Sequence, residues 1–445
     1  MRPSAGREGS LEAPTRHPID WQSADYYEHA ALEKELERVF DICHGCRRCF
    51  SLCNSFPTLF DLVDATASGE VAAVNRKDFA RVVEHCYLCD MCYMTKCPYV
   101  PPHPWNVDFP HLMLRAKAVR HRDGATRPRD KLLSATDVVG RIAGIPVISQ
   151  VVNAANRNGA ARVLLEKTLG VDRTAPLPQY QSRSFRKRFE PATAEVRPQA
   201  TVDTTGKVAI FVTCYGNRNE PALVTDLTAV FRHNGIEVTV AADEKCCGMP
   251  KLELGDLEGV ARLKETNIPA LGAMVDAGYD IVAAIPSCVL MYKQELPLMF
   301  PADPLVAKVQ NAMFDPFEYL WLRHVAGLLK TDFRTQLGRV SYHVACHLRV
   351  QNMGLKTRDV LSLIPGTQVE PIERCSGHNG TYAVKKEYRA ASIKIGRPVM
   401  QRVQSSGADR YASDCPMAGH QIESGLQQPS EPEHPLSLLR QAYGI

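Results

Sequence analysis

KVAIFVTCYGNRNEP (207–221) and RVSYHVACHLRVQNMG (339–354) are the two stretches whose reading decides the fold. Each is a β-branched apolar run of strand length that ends in a cysteine and gives way to polar residues. Two more pairs line up behind them. EKCCGMPKLELGD (244–256) matches ERCSGHNGTYAVK (373–385), and YDIVAAIPSCVLMYKQE (279–295) matches ADRYASDCPMAGHQIE (408–423). The matched cysteines are offset by 132, 129 and 127 residues, so the back of the chain is an internal repeat in nearly constant register. Helical patterns such as ALVTDLTAVFRHNG (222–235) and GVARLKETNIPALGAMVDAG (259–278) lie between the strand-like runs. Strand alternating with helix predicts parallel α/β layers, here as two similar lobes over 206–330 and 331–445.

Outward from the repeat, the cysteines divide the chain. Eight of the 15 lie between Cys43 and Cys97, none in the next 116 residues, and seven from Cys214 to Cys415. The front, 26–115, opens with YYEHAALEKELERVFDI (26–42), whose apolar spacing predicts a helix entering the first cysteine run. The connector 61–86 reads as mostly helical, with Asn75 and Asp78 near a helix start. Residues 1–25 read as a flexible leader. The cysteine-free part, 116–205, reads as a basic connector: helices over 132–170 interrupted by Gly144 and Pro146, then a Pro-, Gln-, Thr- and Ser-rich linker over 174–205. Residues 115–200 carry 17 Lys and Arg against 7 Asp and Glu, a net of +10, which leaves −6 for the rest. Such a stretch is either a solvated face or a contact with an anionic membrane surface, where each basic residue contributes ~1 kcal/mol. The apolar segment DVVGRIAGIPVISQVV (137–152) beside it is either core or an interfacial helix. The overall expectation is α+β, with a helical cysteine-rich front and two repeated α/β lobes.

Composition narrows the chemistry. At 45% hydrophobic and 23% charged over 445 residues, the chain is neither disordered nor collagen-like. A net charge of +4 does not argue for nucleic acid. No apolar run of about 18 residues predicts a membrane-spanning helix, and the polar N-terminal stretch predicts no secretory signal. A cytoplasmic location is the expectation, and there cysteines read as metal ligands or redox groups rather than structural disulfides.

CHGCRRCFSLC places Cys43, Cys46, Cys49 and Cys53; CYLCDMCYMTKCP places Cys86, Cys89, Cys92 and Cys97, followed by Pro98. Three cysteines at x2 spacing wrap one face of a cubane, and the short turn cannot bring the fourth round it. Two zinc sites are the competing use of eight thiolates. The runs resemble a two-cluster ferredoxin module, in which the fourth cysteine of each run ligates the other cluster. The resemblance implies one [4Fe–4S] cluster on Cys43, Cys46, Cys49 and Cys97, and a second on Cys86, Cys89, Cys92 and Cys53. Arg47, Arg48 and Lys96 are either tuning charges or ordinary surface residues.

The back spacings resemble the cysteine-rich CCG domain of heterodisulfide reductases and related iron–sulfur oxidoreductases. A ferredoxin module followed by two such repeats resembles the family of C subunits of anaerobic glycerol-3-phosphate dehydrogenases, and also the iron–sulfur subunit of glycolate oxidase. CPYVPPHPW (97–105), ACHLRVQNMG (345–354) and CSGHNGTY (375–382) carry the first resemblance, which covers about 43–425. The full family pattern ends each repeat in CxxC and pairs two cysteines in the middle. Here Met291 and Ala418 stand at the final positions and Ser376 replaces one of the pair. The first repeat therefore offers Cys214, Cys246, Cys247 and Cys288, and the second Cys346, Cys375 and Cys415. These are candidates for a further iron–sulfur cluster or a zinc, with His347, His378 and His420 the nearest non-thiolate groups.

No dinucleotide fingerprint, P-loop, flavin fingerprint or nucleophile elbow is present, so any two-electron substrate chemistry is expected on another subunit. The resemblance implies an electron-transfer subunit. Electrons arrive from a flavoprotein or dehydrogenase and leave to a quinone or small redox protein. Peripheral contact with the cytoplasmic face of the inner membrane is a further expectation, and no nucleic-acid partner is expected. The alternative is a disulfide or heterodisulfide reductase acting at a cluster in the CCG lobes. A third reading is an iron–sulfur scaffold or sensor that carries no current.

Overall fold

The structure is a computed structural model that describes residues 14–95, 97–191, 197–242, 244–427 and 430–445. Most of the expected leader, 1–13, and Lys96 lie outside the described residues. The chain divides into two compact units. One runs to Arg127 and takes in Lys251–Leu257; the other comprises Pro128–Pro250 and Glu258–Ile445.

The front unit is helical, with no strand among its described residues. Its principal helices are His29–Cys46, Ser55–Asp64, Phe79–Glu84 and Phe109–Arg122. The first starts because the Glu28 carboxylate accepts from the Ala30 and Ala31 N–H groups; it buries Leu32, Leu36, Val39 and Phe40, on one face at i, i+4, i+7 spacing. Phe40 meets Phe79 edge-on at 5.0 Å and Phe56 lies 4.7 Å from Phe109, so aromatic packing joins the helices. The connector is a series of short helical pieces, and Asn75 caps the turn Arg76–Asp78 by accepting from Lys77 N–H.

Two expectations need correction here. The described part of the leader is held in place: Ile19 and Trp21 are buried, and Arg16 Nη1 meets Asp90 Oδ2 at 2.5 Å while its Nε meets Asp108 Oδ2 at 2.9 Å. The boundary expected at 115/116 falls inside the helix Phe109–Arg122, whose buried face keeps it in the front unit.

In the second unit, β1 (Lys207–Ile210), β2 (Glu237–Val240), β3 (Asp280–Val282) and β4 (Met313–Phe314) form a parallel sheet in the order β2-β1-β3-β4. A second parallel sheet is built from β5 (Gly338–His343), β6 (Thr367–Ile372) and β7 (Arg410–Ser413), in the order β6-β5-β7. Val208 pairs with Val238 and Asp280, and Val340 with Val369 and Arg410. The repeat is thus realised as the same strand order twice, with the cysteine-bearing run central each time. The C-terminal helix Pro435–Tyr443 ties the second half to the first: Arg440 Nη1 meets Asp226 Oδ1 at 2.6 Å, and Tyr443 OH donates to Lys330 O at 2.8 Å.

The expected linker 174–205 is no tether over its described residues. Phe185 is buried, the Asn153 side chain bonds both the N–H and the C=O of Tyr180, and Gln181 N–H donates to Arg218 O at 2.8 Å. Arg186 reaches Glu244 at 3.2 Å, and Arg323 Nη1 donates to Gln199 O at 2.5 Å. Its composition lacks apolar periodicity, yet side-chain amides and arginines from sequence-distant elements hold its backbone.

Candidate metal centres

All 15 cysteines are described, and none is in a disulfide. In the front unit, Cys43 and Cys46 occupy the last turn of the first helix. Arg47 then adopts a left-handed conformation (φ 49°) with its N–H on Cys43 O at 2.8 Å, which ends the helix and turns the chain back through Cys49. The second run turns through Leu88 (φ 52°) and Asp90 (φ 58°), between Cys86, Cys89 and Cys92. Non-glycine residues in this region cost roughly 1–2 kcal/mol each, so these loops are shaped for something other than local stability.

The front thiols lie close enough to act on one another, and Cys49 acts on both Cys43 and Cys92. The Cys43 thiol is pushed well up by burial, and then by its neighbours Cys97, Cys49 and Cys46. The Cys92 thiol is pushed well up by burial, and then by Cys89, Cys86, Cys49 and Cys53. Four thiols so placed cannot all ionise against one another; a bound cation reverses that, because coordinated thiols are deprotonated. The nearby carboxylates do not supply repulsion. Burial pushes Asp108 up, but His111 and Arg16 outweigh it and hold the group down at about 2. Arg47 lies on Asp64, with Nη1 to Oδ2 at 3.0 Å, so its charge is matched by a carboxylate. Among the described residues, no three or more His, Cys, Asp or Glu side chains are gathered tightly enough for a single metal ion.

In the second unit, all seven cysteines lie beyond the carboxyl ends of parallel strands. Cys214 and Cys346 each open a short helix directly after a central strand, Cys288 lies in Pro286–Leu290 after β3, and Cys415 caps Pro416–Glu423 after β7. Cys214, Cys246, Cys247 and Cys288 form one group. Cys246 is the readily ionised member, because the Cys214 and Cys247 thiols stabilise its thiolate, helped by the Gly248 N–H. Cys247 is correspondingly pushed up by its bonds to Cys246 and Cys288. Cys346 and Cys375 are hydrogen-bonded to each other, and that bond holds Cys375 below its ordinary value. Cys415 is pushed up to about 11 by burial, and Cys288 is among the charges that reach it, so the two repeats face each other through their cysteine ends. Gln351 Nε2 to Pro286 O at 3.4 Å crosses the same seam.

Several neighbours were not legible in the spacing. The helix Thr136–Ala143 supplies Thr136, and Asp137 Oδ2 accepts from Cys246 N–H at 2.7 Å. A helix-start Thr-Asp pair is too common a signal to mark a thiol site. Met291, at the missing cysteine position, is fully buried; its methyl lies where a Cβ on Gly248 would meet it at 3.6 Å, and a π-helical turn, Met291–Glu295, begins there. The Tyr292 hydroxyl is buried without a partner beside Cys247 and Cys288. Of the candidate histidines, His420 is held protonated, at about 9, first by Glu220 and also by Glu423. His378 Nε2 is buried with no hydrogen-bond partner.

Two sheets with matched cysteine ends define a protein with a duplicated cysteine-rich domain. Residues 208–293 and 340–423 each match the CCG cysteine-rich domain family. The chain is 30% identical over 348 residues to the C subunit of anaerobic glycerol-3-phosphate dehydrogenase from Escherichia coli K12, covering 76% of this chain and 83% of that protein. It is 26% identical over 227 residues to the B subunit of the fumarate reductase (CoM/CoB) of Methanothermobacter marburgensis, covering 50% of this chain and 42% of that one. It is 30% identical over 217 residues to lactate utilization protein A of Bacillus cereus, covering 47% and 87%. The chain belongs to the CCG-domain family that includes the C subunit of anaerobic glycerol-3-phosphate dehydrogenase. That membership supports an iron–sulfur electron-transfer role within a dehydrogenase or reductase complex.

Proposed function

We propose that the chain is the electron-relay subunit of a glycerol-3-phosphate dehydrogenase-like complex, taking electrons from a flavoprotein or dehydrogenase partner and delivering them to a quinone or small redox protein. The crowding of the front thiols supports this reading: Cys97 is among the groups that act on Cys43, and Cys53 is among those that act on Cys92. The front unit is then a ferredoxin-like module holding two [4Fe–4S] clusters. One set is Cys43, Cys46, Cys49 and Cys97; the other is Cys86, Cys89, Cys92 and Cys53. Bound clusters store and pass single electrons. The protein's part is to bury the thiols, match nearby carboxylates with Arg16 and His111, and fix the loops through left-handed turns.

The second unit then comprises two CCG lobes, with a further cluster on Cys214, Cys246, Cys247 and Cys288.

The site of action we propose is the cytoplasmic membrane face. Among the described residues no single helix is long and apolar enough to cross a membrane, and the pair Thr136–Ala143 and Pro146–Arg157 is bent by 104°. Val138, Ile142 and Ile145 are exposed, as are Val147 (70%) and Val151 (63%), within the +10 segment. Apolar residues at i, i+4 spacing beside basic charge suit a surface lying in the headgroup region.

The experiment is re-oxidation of the chemically reduced chain by menadione under anaerobic conditions. Rapid re-oxidation of the iron–sulfur EPR signals supports the relay. The three thiols of the second repeat favour the reductase alternative; turnover of a disulfide with no transfer to quinone would replace the relay with it.

A further inference from the structure

The second CCG lobe has one thiol fewer than the first, because Ser376 stands where the first has Cys247. One residue beyond Gly377, the His378 Nε2 is buried and unpartnered. A buried ring nitrogen without a partner costs roughly 1–3 kcal/mol, so its persistence calls for a partner that the folded chain alone does not contain. The other histidines nearby are committed. His343 bonds Ser413 Oγ at 2.9 Å and Arg374 O at 3.1 Å, and His420 sits between Glu423 at 3.0 Å and Glu220 at 3.7 Å.

Position and rigidity agree. The charges that reach His378 are those of His347, next to Cys346, and His420, five residues beyond Cys415. His378 itself lies three residues beyond Cys375, on the same segment. That segment wraps the sulfur: Gly377 N–H donates to Cys375 Sγ at 3.3 Å, and Ser392 Oγ donates to Gly377 O at 2.7 Å. A Cβ on Gly377 would stand 2.1 Å from Ser392 O, so the backbone here has no room to shift.

We propose that His378 is the non-thiolate ligand to an iron–sulfur cluster in the second CCG lobe, completing a set with Cys346, Cys375 and Cys415. The proposal rests on the reading that the CCG lobes hold iron. Imidazole in place of thiolate leaves the cluster less negative, which raises its reduction potential relative to an all-cysteine site. It also closes the iron that three thiolates alone would leave open.

The test uses the full chain, purified anaerobically, with and without 15N-histidine, and pulsed EPR of the reduced state. A strongly coupled nitrogen that changes on 15N-histidine labelling is expected in the natural chain. It should vanish in His378→Ala and in His378→Cys, and persist in His347→Ala and His420→Ala. His378→Cys should keep the iron content and lower the midpoint potential of one cluster. Coupling that survives in His378→Cys, or an unchanged potential there, overturns the proposal. So does a natural chain with more than about eight irons and no histidine coupling, or one with front-cluster signals alone. Absence of the front-cluster signals is a different result, and it would overturn the relay reading itself.

Discussion

At the residue scale, the argument turns on side chains whose environment decides one chemical state. His434 is such a group. Its Nδ1 accepts from Leu436 N–H at 3.1 Å and its Nε2 donates to Asp414 O at 3.0 Å, an arrangement only the neutral ring can make. Burial pushes it down to about 4 from 6.5. The folded value is depressed, so its contribution to stability is present above about 6.5 and lost as pH falls through about 4. Urea midpoints should therefore decline over that window, and His434→Gln should show a shallower decline. Gly377 gives a steric counterpart. Gly377→Ala should destabilise by more than about 2 kcal/mol, whereas Gly159→Ala, which meets nothing within 4 Å, should stay within about 0.5. Thermal unfolding of both variants checks this; equal shifts would contradict the packing argument. For the thiols, Cys43→Ser and Cys86→Ser should each remove about four irons and leave the other front set intact. Iron analysis of the two variants reads this directly, and loss of all the iron from both would contradict separate sets.

At the element scale, the repeat was legible because strands buried on both faces read as continuous apolar runs, and KVAI and RVSYH are of that kind. The helix into the first cysteine run was legible from Leu32, Leu36, Val39 and Phe40. The hold on residues 174–191 and 197–205 was not, because it depends on Asn153, Arg218 and Glu244, which are close in space only. Thr136 and Asp137 escaped for the same reason, and His378 was one of three equivalent histidines until burial and partners separated them. The bent helices Thr136–Ala143 and Pro146–Arg157 carry their own prediction. Replacing Val147 and Val151 with Glu should weaken sedimentation with anionic lipid vesicles at least tenfold. Each removes an apolar side chain worth roughly 1.5–3 kcal/mol when buried. Unchanged sedimentation would remove the membrane proposal and leave the relay standing.

At the scale of the whole molecule, eight of the 15 cysteines lie in the front unit and seven in the second, at matched positions of the repeat. Ionising thiols placed so close together is unfavourable unless something positive binds among them. That requirement, together with membership of the CCG-domain family, is the core of the electron-relay assignment. The most direct test is the iron, acid-labile sulfide and zinc content of the anaerobically purified chain. Iron and sulfide in equal number, above about eight each per chain with little zinc, are expected for two front clusters and at least one more in the CCG lobes. Zinc in place of iron, with no acid-labile sulfide, would contradict the assignment.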